Sequence, residues 1–286
     1  MHFPVMAEKV VEHLAIRPDG VYVDATCGLG GHTAEIARRL VTGMVIACDR
    51  DAESLELARQ NTAALAARIR FLHTSFSGLA AAVARIQAGT VSGLAADLGV
   101  SRFQLTEPHR GFSILADGPL DMRMDQTKGT TAADLVNYSA EKALADIIYQ
   151  FGEERRARRI AGAIVRARPI RSTRHLADVV ERAVPRTGSL HPATLTFMAL
   201  RIAVNDEQRE LDRLLETAPE LVGGGGRIVV ISFMSLEDRR VKNAFRELAR
   251  QGRAKLLTRK PILPEEDEVR RNPPSRSAKL RALEMT

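Results

Sequence analysis

The chain has no tryptophan, and aromatic residues make up only 4% of its 286 positions. So thin a supply of rings argues against a protein that stacks successive bases along a strand. Cys27 and Cys48 are the only cysteines, each beside an expected strand end. That excludes a disulfide scaffold, and two thiols without a patterned histidine partner make no zinc site. They read as small buried hydrophobes. No apolar run reaches the length of a membrane span, and the opening MHFPVMAEK lacks the apolar region of a secretory signal. No repeat or low-complexity tract interrupts the chain. The expectation is a cytoplasmic protein with no membrane and no metal.

What is present is a core and a positive charge. At 45% hydrophobic residues, the chain can fill one large domain, or one domain carrying a second. The net charge of +7 and the pI near 9.8 favour a polyanionic partner, of which nucleic acid is the default. Arginines outnumber lysines 35 to 7. Arginine suits bidentate phosphate contacts, though genome base composition produces the same excess.

Residues 21–33, VYVDATCGLGGHT, organise the rest. A short apolar strand ends in Asp24, a glycine turn follows, and a helix begins. Gly28, Gly30 and Gly31 stand where the backbone must turn tightly and admit a ligand. A second strand, GMVIACD, ends in Asp49, about 20 residues on, where a carboxylate can accept hydrogen bonds from two ribose hydroxyls. Thr33 occupies the third glycine position of the strict dinucleotide pattern. A GxGG turn with an acid before it fits S-adenosylmethionine better, because that cofactor has no pyrophosphate to cradle.

Strand and helix then alternate. Residues 70–74 form a third strand followed by Phe76, and residues 94–98 a fourth, ending in DLGVS. The pattern predicts a doubly wound α/β fold with a mostly parallel sheet, whose ligands bind at the carboxyl ends of its strands. From about 103 to 190 no strand is apparent, and helices are expected near 140–150, 153–167 and 173–184. Thr131 and Asp134 form an expected capping box. A long helix is expected from His191-Pro192 to Leu215, broken by Gly223–Gly226. Residues 227–233, 255–258 and 278–283 supply the last strands, and Ser235 and Asp238 a further capping box. The expected organisation is therefore a sheet domain in two parts, 1–104 and 191–286, with an inserted helical domain at 105–190.

At the strand tips a ligand would meet Gly30, Gly31, His32, Asp49, Phe76 and Asp97. Phe76 can pack on an adenine face or serve as plain core. Asp97 can approach a methionine amino group or the acceptor, or merely cap a helix. Segment 109–125, HRGFSILADGPLDMRMD, is rich in specific side chains for a loop, as binding elements are. Arg166, Arg168, Arg171 and Arg174 surround a proline-containing break and are expected to contact RNA. Arg155, Arg156, Arg158 and Arg159 are either a solvated helix face or phosphate contacts, and Arg270, Arg271, Arg276, Lys279 and Arg281 flank the last strand. Asn272-Pro273-Pro274-Ser275 resembles the motif of amino-group methyltransferases, but it lies near the C-terminus instead of after strand four and reads as a turn.

Taken together, VDATCGLGGH (23–32), DLGVS (97–101), RGFS (110–113), DGPLDMRMD (117–125), FGEERRARRIAGAIV (151–165), HPAT (191–194), ALRIAVN (199–205), ISFMSLEDR (231–239) and NPPSRSAKLR (272–281) resemble the RsmH (MraW) family of small-subunit ribosomal RNA methyltransferases. The resemblance runs nearly end to end. It implies a class I S-adenosylmethionine-dependent methyltransferase, with a Rossmann-like seven-stranded sheet and an inserted all-helical domain. It implies methylation of the exocyclic N4 of a cytidine in the decoding region of small-subunit (16S) ribosomal RNA. Cofactor contacts then fall on Gly30, Gly31, His32, Asp49, Phe76, Asp97 and Gln104, and the candidates for activating the amine are Asp97 and then Asp121. Met234 stands where the family usually has histidine, Arg102 where serine is common, and Cys27 where phenylalanine or leucine is usual. An NAD-dependent oxidoreductase, a ribosome assembly factor without activity and a DNA amino-methyltransferase are the competing readings. Oligomeric state, monomer or homodimer, is left open.

Overall fold

The structure, a computed structural model, describes residues 4–186, 188 and 190–286. The chain forms two compact units, one of residues Met1–Gly99 and Gln208–Thr286, the other of Val100–Glu207. In chain order the first unit opens with α1 (Ala7–Leu14), β1 (Val21–Asp24), α2 (Gly31–Ala37), β2 (Met44–Asp49), α3 (Ala52–Asn61), β3 (Ile69–His73), α4 (Leu79–Ala84) and β4 (Val91–Asp97). The second holds α5 (Arg102–Thr106), α6 (Ala132–Tyr138), α7 (Glu141–Gly152), α8 (Ala157–Arg166), α9 (Thr173–Ala183) and α10 (Thr194–Asn205). The chain then returns through α11 (Glu207–Leu221), β5 (Val222–Ser232), α12 (Ser235–Arg250), β6 (Ala254–Leu256), α13 (Glu266–Arg271) and β7 (Lys279–Met285).

The seven strands lie in the order β3-β2-β1-β4-β5-β7-β6. The first five are parallel, and β7 runs antiparallel to both neighbours. The strand order reverses between β1 and β4, which opens a crevice at their carboxyl ends. The apolar runs explain the burial. On one face Val23, Ile46, Leu94, Ile228 and Val230 pack beneath Leu79 of α4, Leu211 and Leu214 of α11, and Val241 and Phe245 of α12. On the other, Tyr22, Val45, Ala95, Val229 and Ile231 meet Val10 of α1, Ile36 of α2 and Leu55 of α3. Alternate residues of one strand thus feed two cores, and each large side chain so buried contributes about 1.5–3 kcal/mol.

The helical unit has its own core, in which Leu144, Ile148, Ile160, Ile164, Leu176, Val180, Phe197 and Leu200 enclose Leu120, Met122 and Met124. Segment 109–125 is therefore folded against helices. Arg110 is fully buried and its Nη2 donates to the carbonyls of Arg123 and Met124 at 3.0 and 3.1 Å. Gly111 has φ +76°, and a Cβ there would stand 2.3 Å from the Pro119 carbonyl oxygen. The loop closes over itself only because that position lacks a side chain.

Four sequence expectations are corrected. The long helix of 191–215 is two helices, separated by Asp206 at φ 49°. The buried Asn205 terminates the first: its amide donates to the Met122 carbonyl and its oxygen accepts from the Met124 N–H, both at 2.7 Å. Phe197 and Leu200 accordingly pack in the helical unit, so the chain leaves that unit at 207/208 and enters it at 99/100, against expected boundaries of 190/191 and 104/105. The glycines at 223–226 do not end a helix; β5 begins at Val222 and runs through them. Finally, α12 is capped one residue early, by Glu237 accepting from the Phe233 and Met234 N–H groups at 3.0 Å each. Asp238 is freed for the buried Arg281, whose Nε donates to it at 2.6 Å, so Arg281 adds nothing to a basic surface.

Candidate active site at the strand tips

The glycine turn leaves β1 strapped to both neighbouring strands. Ala25 N–H donates to the Ala95 carbonyl of β4, and Cys27 N–H to the Cys48 carbonyl of β2, both at 2.8 Å. The Asp97 N–H donates to Thr26 Oγ1 at 2.6 Å, tying the end of β4 to the turn. Gly28 and Gly30 take φ +50° and +88°, conformations costly for any other residue but readily adopted by glycine. A Cβ on Gly30 would also lie 2.9 Å from Thr62 of the neighbouring segment. Gly31 opens α2, and a Cβ there would lie 2.9 Å from Pro4.

Asp49 Oδ2 accepts from the Gly28 N–H at 2.7 Å and Oδ1 from the Asp51 N–H at 2.9 Å. Two backbone donors fix the carboxylate's orientation and leave further lone pairs for hydroxyl groups. Burial pushes its pKa up to about 6, against the pull of those two N–H groups. The Asp97 carboxyl goes higher, to about 7. Burial is the main cause; His32 opposes it, and Asp24, Glu237 and Glu268 add to it. Asp97 Oδ1 is buried and has no hydrogen-bond partner among the described residues. His32 is buried, with Nε2 donating to the Val5 carbonyl at 2.8 Å and Nδ1 3.9 Å from Asp97 Oδ2. Phe76 follows β3 and packs half-buried against the core.

The first unit thus brings Gly30, Gly31, His32, Asp49 and Asp97 to adjacent tips of β1, β2 and β4. Sequence reasoning passed over their supports. Asp24 is buried, its pKa raised by burial, and it accepts from Thr33 Oγ1 at 2.6 Å and Thr26 N–H at 3.2 Å. Thr33, noted only as a missing glycine, is the hydroxyl that satisfies it. The signal was there: an acid at a strand end and a hydroxyl nine residues on, in the first turn of the next helix. Glu268 gave no such signal; its Oε1 accepts from the Met6 N–H at 2.6 Å, across 262 residues.

The other expected site residues lie in the helical unit. Gln104 is buried and completes a capping box, its Oε1 accepting from the Ser101 N–H at 3.0 Å. Both Asp121 oxygens are engaged by Arg123, each at 2.8 Å, which holds that carboxyl below its usual range despite partial burial. Arg168 donates to the carbonyls of Val136 and Ser139 at the end of α6, so it serves the fold. Arg166, Arg171 and Arg174 are exposed, with Arg174 Nη2 reaching the Leu115 carbonyl at 3.5 Å.

The strand-tip site fits a nucleoside cofactor that carries positive charge. It offers a turn whose backbone can be closely approached, a carboxylate held by backbone donors at the second strand, and an unpartnered buried carboxylate oxygen at the fourth. Three carboxyls raised by burial in one crevice are relieved by a cation.

Comparison with known proteins agrees with the resemblance. The sequence model of the MraW methylase family matches residues 1–286. A ribosomal RNA small subunit methyltransferase H of Solibacter usitatus is 66% identical, the match covering 100% of both chains. Its namesake from Acidobacterium capsulatum is 53% identical over 99% of this chain and 98% of its own. Among solved structures, a chain from Clostridium thermocellum matches over 100% of both chains at 11% identity and a TM-score of 0.49.

Proposed function

The chain belongs to the MraW methylase family, and from that premise we propose that it methylates the exocyclic N4 of a cytidine in small-subunit ribosomal RNA, using S-adenosylmethionine. The observation that carries the chemical reading is Asp97, a carboxylate with a buried, unpartnered oxygen at the tip of β4. The cofactor would be held by Gly30, Gly31, His32, Asp49 and Phe76, with Gln104 assigned on the family resemblance. When bound it supplies a methyl group on a positively charged sulfur, already a good electrophile.

The residues' work is to align and activate a weak nucleophile. The lone pair of cytosine N4 is delocalised into the ring, and in-line alignment supplies most of what the reaction lacks. Asp97 accepts a hydrogen bond from the amine, localises its lone pair and stabilises the positive charge that develops on nitrogen. It does so only as the carboxylate, which burial disfavours until a cation approaches. His32 is placed to favour that state through Nδ1, its other nitrogen being fixed by Val5. Asp121 is a poor second candidate, since Arg123 occupies both its oxygens. The target base must be unpaired or flipped to reach such a site. The helical unit and its 109–125 loop are assigned to RNA, with Arg166, Arg171 and Arg174 among the contacts. The reaction belongs in the cytoplasm, where small subunits are assembled; no helix among the described residues is long and apolar enough to cross a membrane.

Mass spectrometry of nucleosides from small-subunit rRNA, from cells with and without this protein, tests the reading. N4-methylated cytidine should disappear in its absence and return when the purified protein and the cofactor are added to those subunits. An unchanged nucleoside profile would sink it.

A further inference from the structure

One end of the helical unit carries cations that the fold does not use. α8 buries Ala157, Ile160, Ala161 and Ile164 and turns Arg158 and Arg159 to solvent, with Arg155 exposed just before it. The end of α9 comes to the same place, because Arg156 Nη1 donates to the Pro185 carbonyl at 3.1 Å. Arg182, exposed in the last turn of α9, therefore joins the cluster. Tyr149, in the last turn of α7, is 63% exposed six residues before Arg155. Of the chain's three tyrosines, Tyr138 and Tyr149 are exposed, and Tyr149 is the one at the helix end that leads into Arg155.

Several exposed arginines elsewhere on this chain face carboxylates, while others, such as Arg85, Arg239 and Arg246, stand singly in solvent. Arg38 pairs with Glu35, Arg213 with Glu216, Arg250 with Glu247 and Arg270 with Glu266 and Asp267. Among the described residues no carboxylate lies within ion-pair distance of Arg155, Arg158, Arg159 or Arg182. Glu154 is occupied by Arg156, and Glu181 faces His191 at 3.9 Å. Asp146, Glu153 and Glu181 are exposed acids on the same helices, none within ion-pair distance of these four arginines. Unneutralised guanidinium groups on rigid helix ends suit phosphodiesters, which accept bidentate hydrogen bonds. An exposed ring on the adjoining end of α7 gives an unpaired base a face to stack on.

We propose that the end of the helical unit formed by Tyr149, Arg155, Arg158, Arg159 and Arg182 is a docking surface for the backbone of single-stranded ribosomal RNA, with Tyr149 stacking one base. This rests on the proposed function and deepens it: the main phosphate contacts move from the 166–174 break, where Arg168 is consumed by the fold, to the helix ends around 155–159.

The test compares the Arg155→Gln/Arg158→Gln/Arg159→Gln variant with a control, Arg38→Gln/Arg213→Gln/Arg250→Gln, which loses the same charge from paired sites. Binding to undermethylated small subunits and to deproteinised small-subunit rRNA is measured across a salt series, beside cofactor affinity and the melting temperature. The first variant should bind both RNAs at least tenfold more weakly, with a log–log salt slope shallower by about 2. The control should bind as the wild type does, and cofactor affinity should be unchanged in both. Tyr149→Ala should weaken binding severalfold at unchanged salt slope, and Tyr149→Phe should restore it. Wild-type affinity in the first variant, equal loss in the control, or loss on subunits with full binding to naked rRNA would each overturn the proposal. A wild-type protein that binds RNA through this surface but forms no N4-methylcytidine would instead refute the proposed reaction and leave the surface standing.

Discussion

Replacing Asp97 with asparagine should separate stability from chemistry. In the fold the Asp97 carboxyl titrates near 7, against 3.8 for an unperturbed carboxyl. The native state therefore holds a proton that the unfolded chain releases, so stability falls as pH rises from about 4 to about 7 and is level above that. The full gap amounts to about 4 kcal/mol. The side chain is 24% exposed, which leaves roughly half of that after screening by water. Asparagine has no proton to lose, so the variant should escape the fall. At pH 8, without cofactor, Asp97→Asn should be more stable than the wild type by about 2 kcal/mol, or about 4–8 °C in Tm. At pH 4 the two should melt together. Methyl transfer should nevertheless drop by about 10²–10³, since a neutral amide stabilises developing positive charge poorly. Calorimetry at the two pH values and a single-turnover assay with labelled cofactor give the result. A variant that melts no higher than the wild type at pH 8, or that keeps more than about a tenth of its rate, would refute the reasoning. Loss of activity together with loss of stability would make Asp97 a structural residue.

Asp49→Ala should weaken cofactor binding by about 10² or more, since it removes the acceptor for ribose and the tether of Gly28; unchanged affinity by titration calorimetry would remove Asp49 from the site. Wild-type cofactor affinity should itself decline below pH 6, because a carboxyl raised to about 6 is then protonated; a flat profile from pH 5 to pH 8 would count against the ribose role. Thr33→Val is nearly isosteric but takes a donor from the buried Asp24, and should cost about 1–3 kcal/mol in chemical denaturation; a neutral result would mean that Asp24 is protonated or otherwise satisfied. Asn205→Ala leaves the Met122 carbonyl and Met124 N–H without their partner and should cost about 2–3 kcal/mol, with faster hydrogen exchange in the 120–125 segment. Unaltered exchange there would show that Asn205 does not hold the loop.

Much of this protein is written locally. Strands β1, β2, β4 and the 228–231 half of β5 are short apolar runs, and burial on both faces of a parallel sheet demands such runs whatever the partner, so most of the sheet was legible from hydrophobic pattern alone. Gly28 and Gly30 were legible because few other residues take their backbone angles readily, and Asp49 because strand geometry fixes its distance from the turn. The motifs carried the family and, through it, the reaction class. What tertiary structure decided is where polar groups find partners remote in sequence. Nothing near Asn205 announces that its amide will bridge Met122 and Met124 and so end a helix that the apolar pattern would have continued. Nothing near Glu268 announces that it will hold Met6. Arg168 and Arg155 look alike in the sequence; one is consumed by the carbonyls at the end of α6, and the other is left in water. Hydrophobic burial depends on the type and spacing of residues, which the chain itself displays. A hydrogen bond or an ion pair depends on a second group at about 3 Å, and only the folded chain determines which group that is.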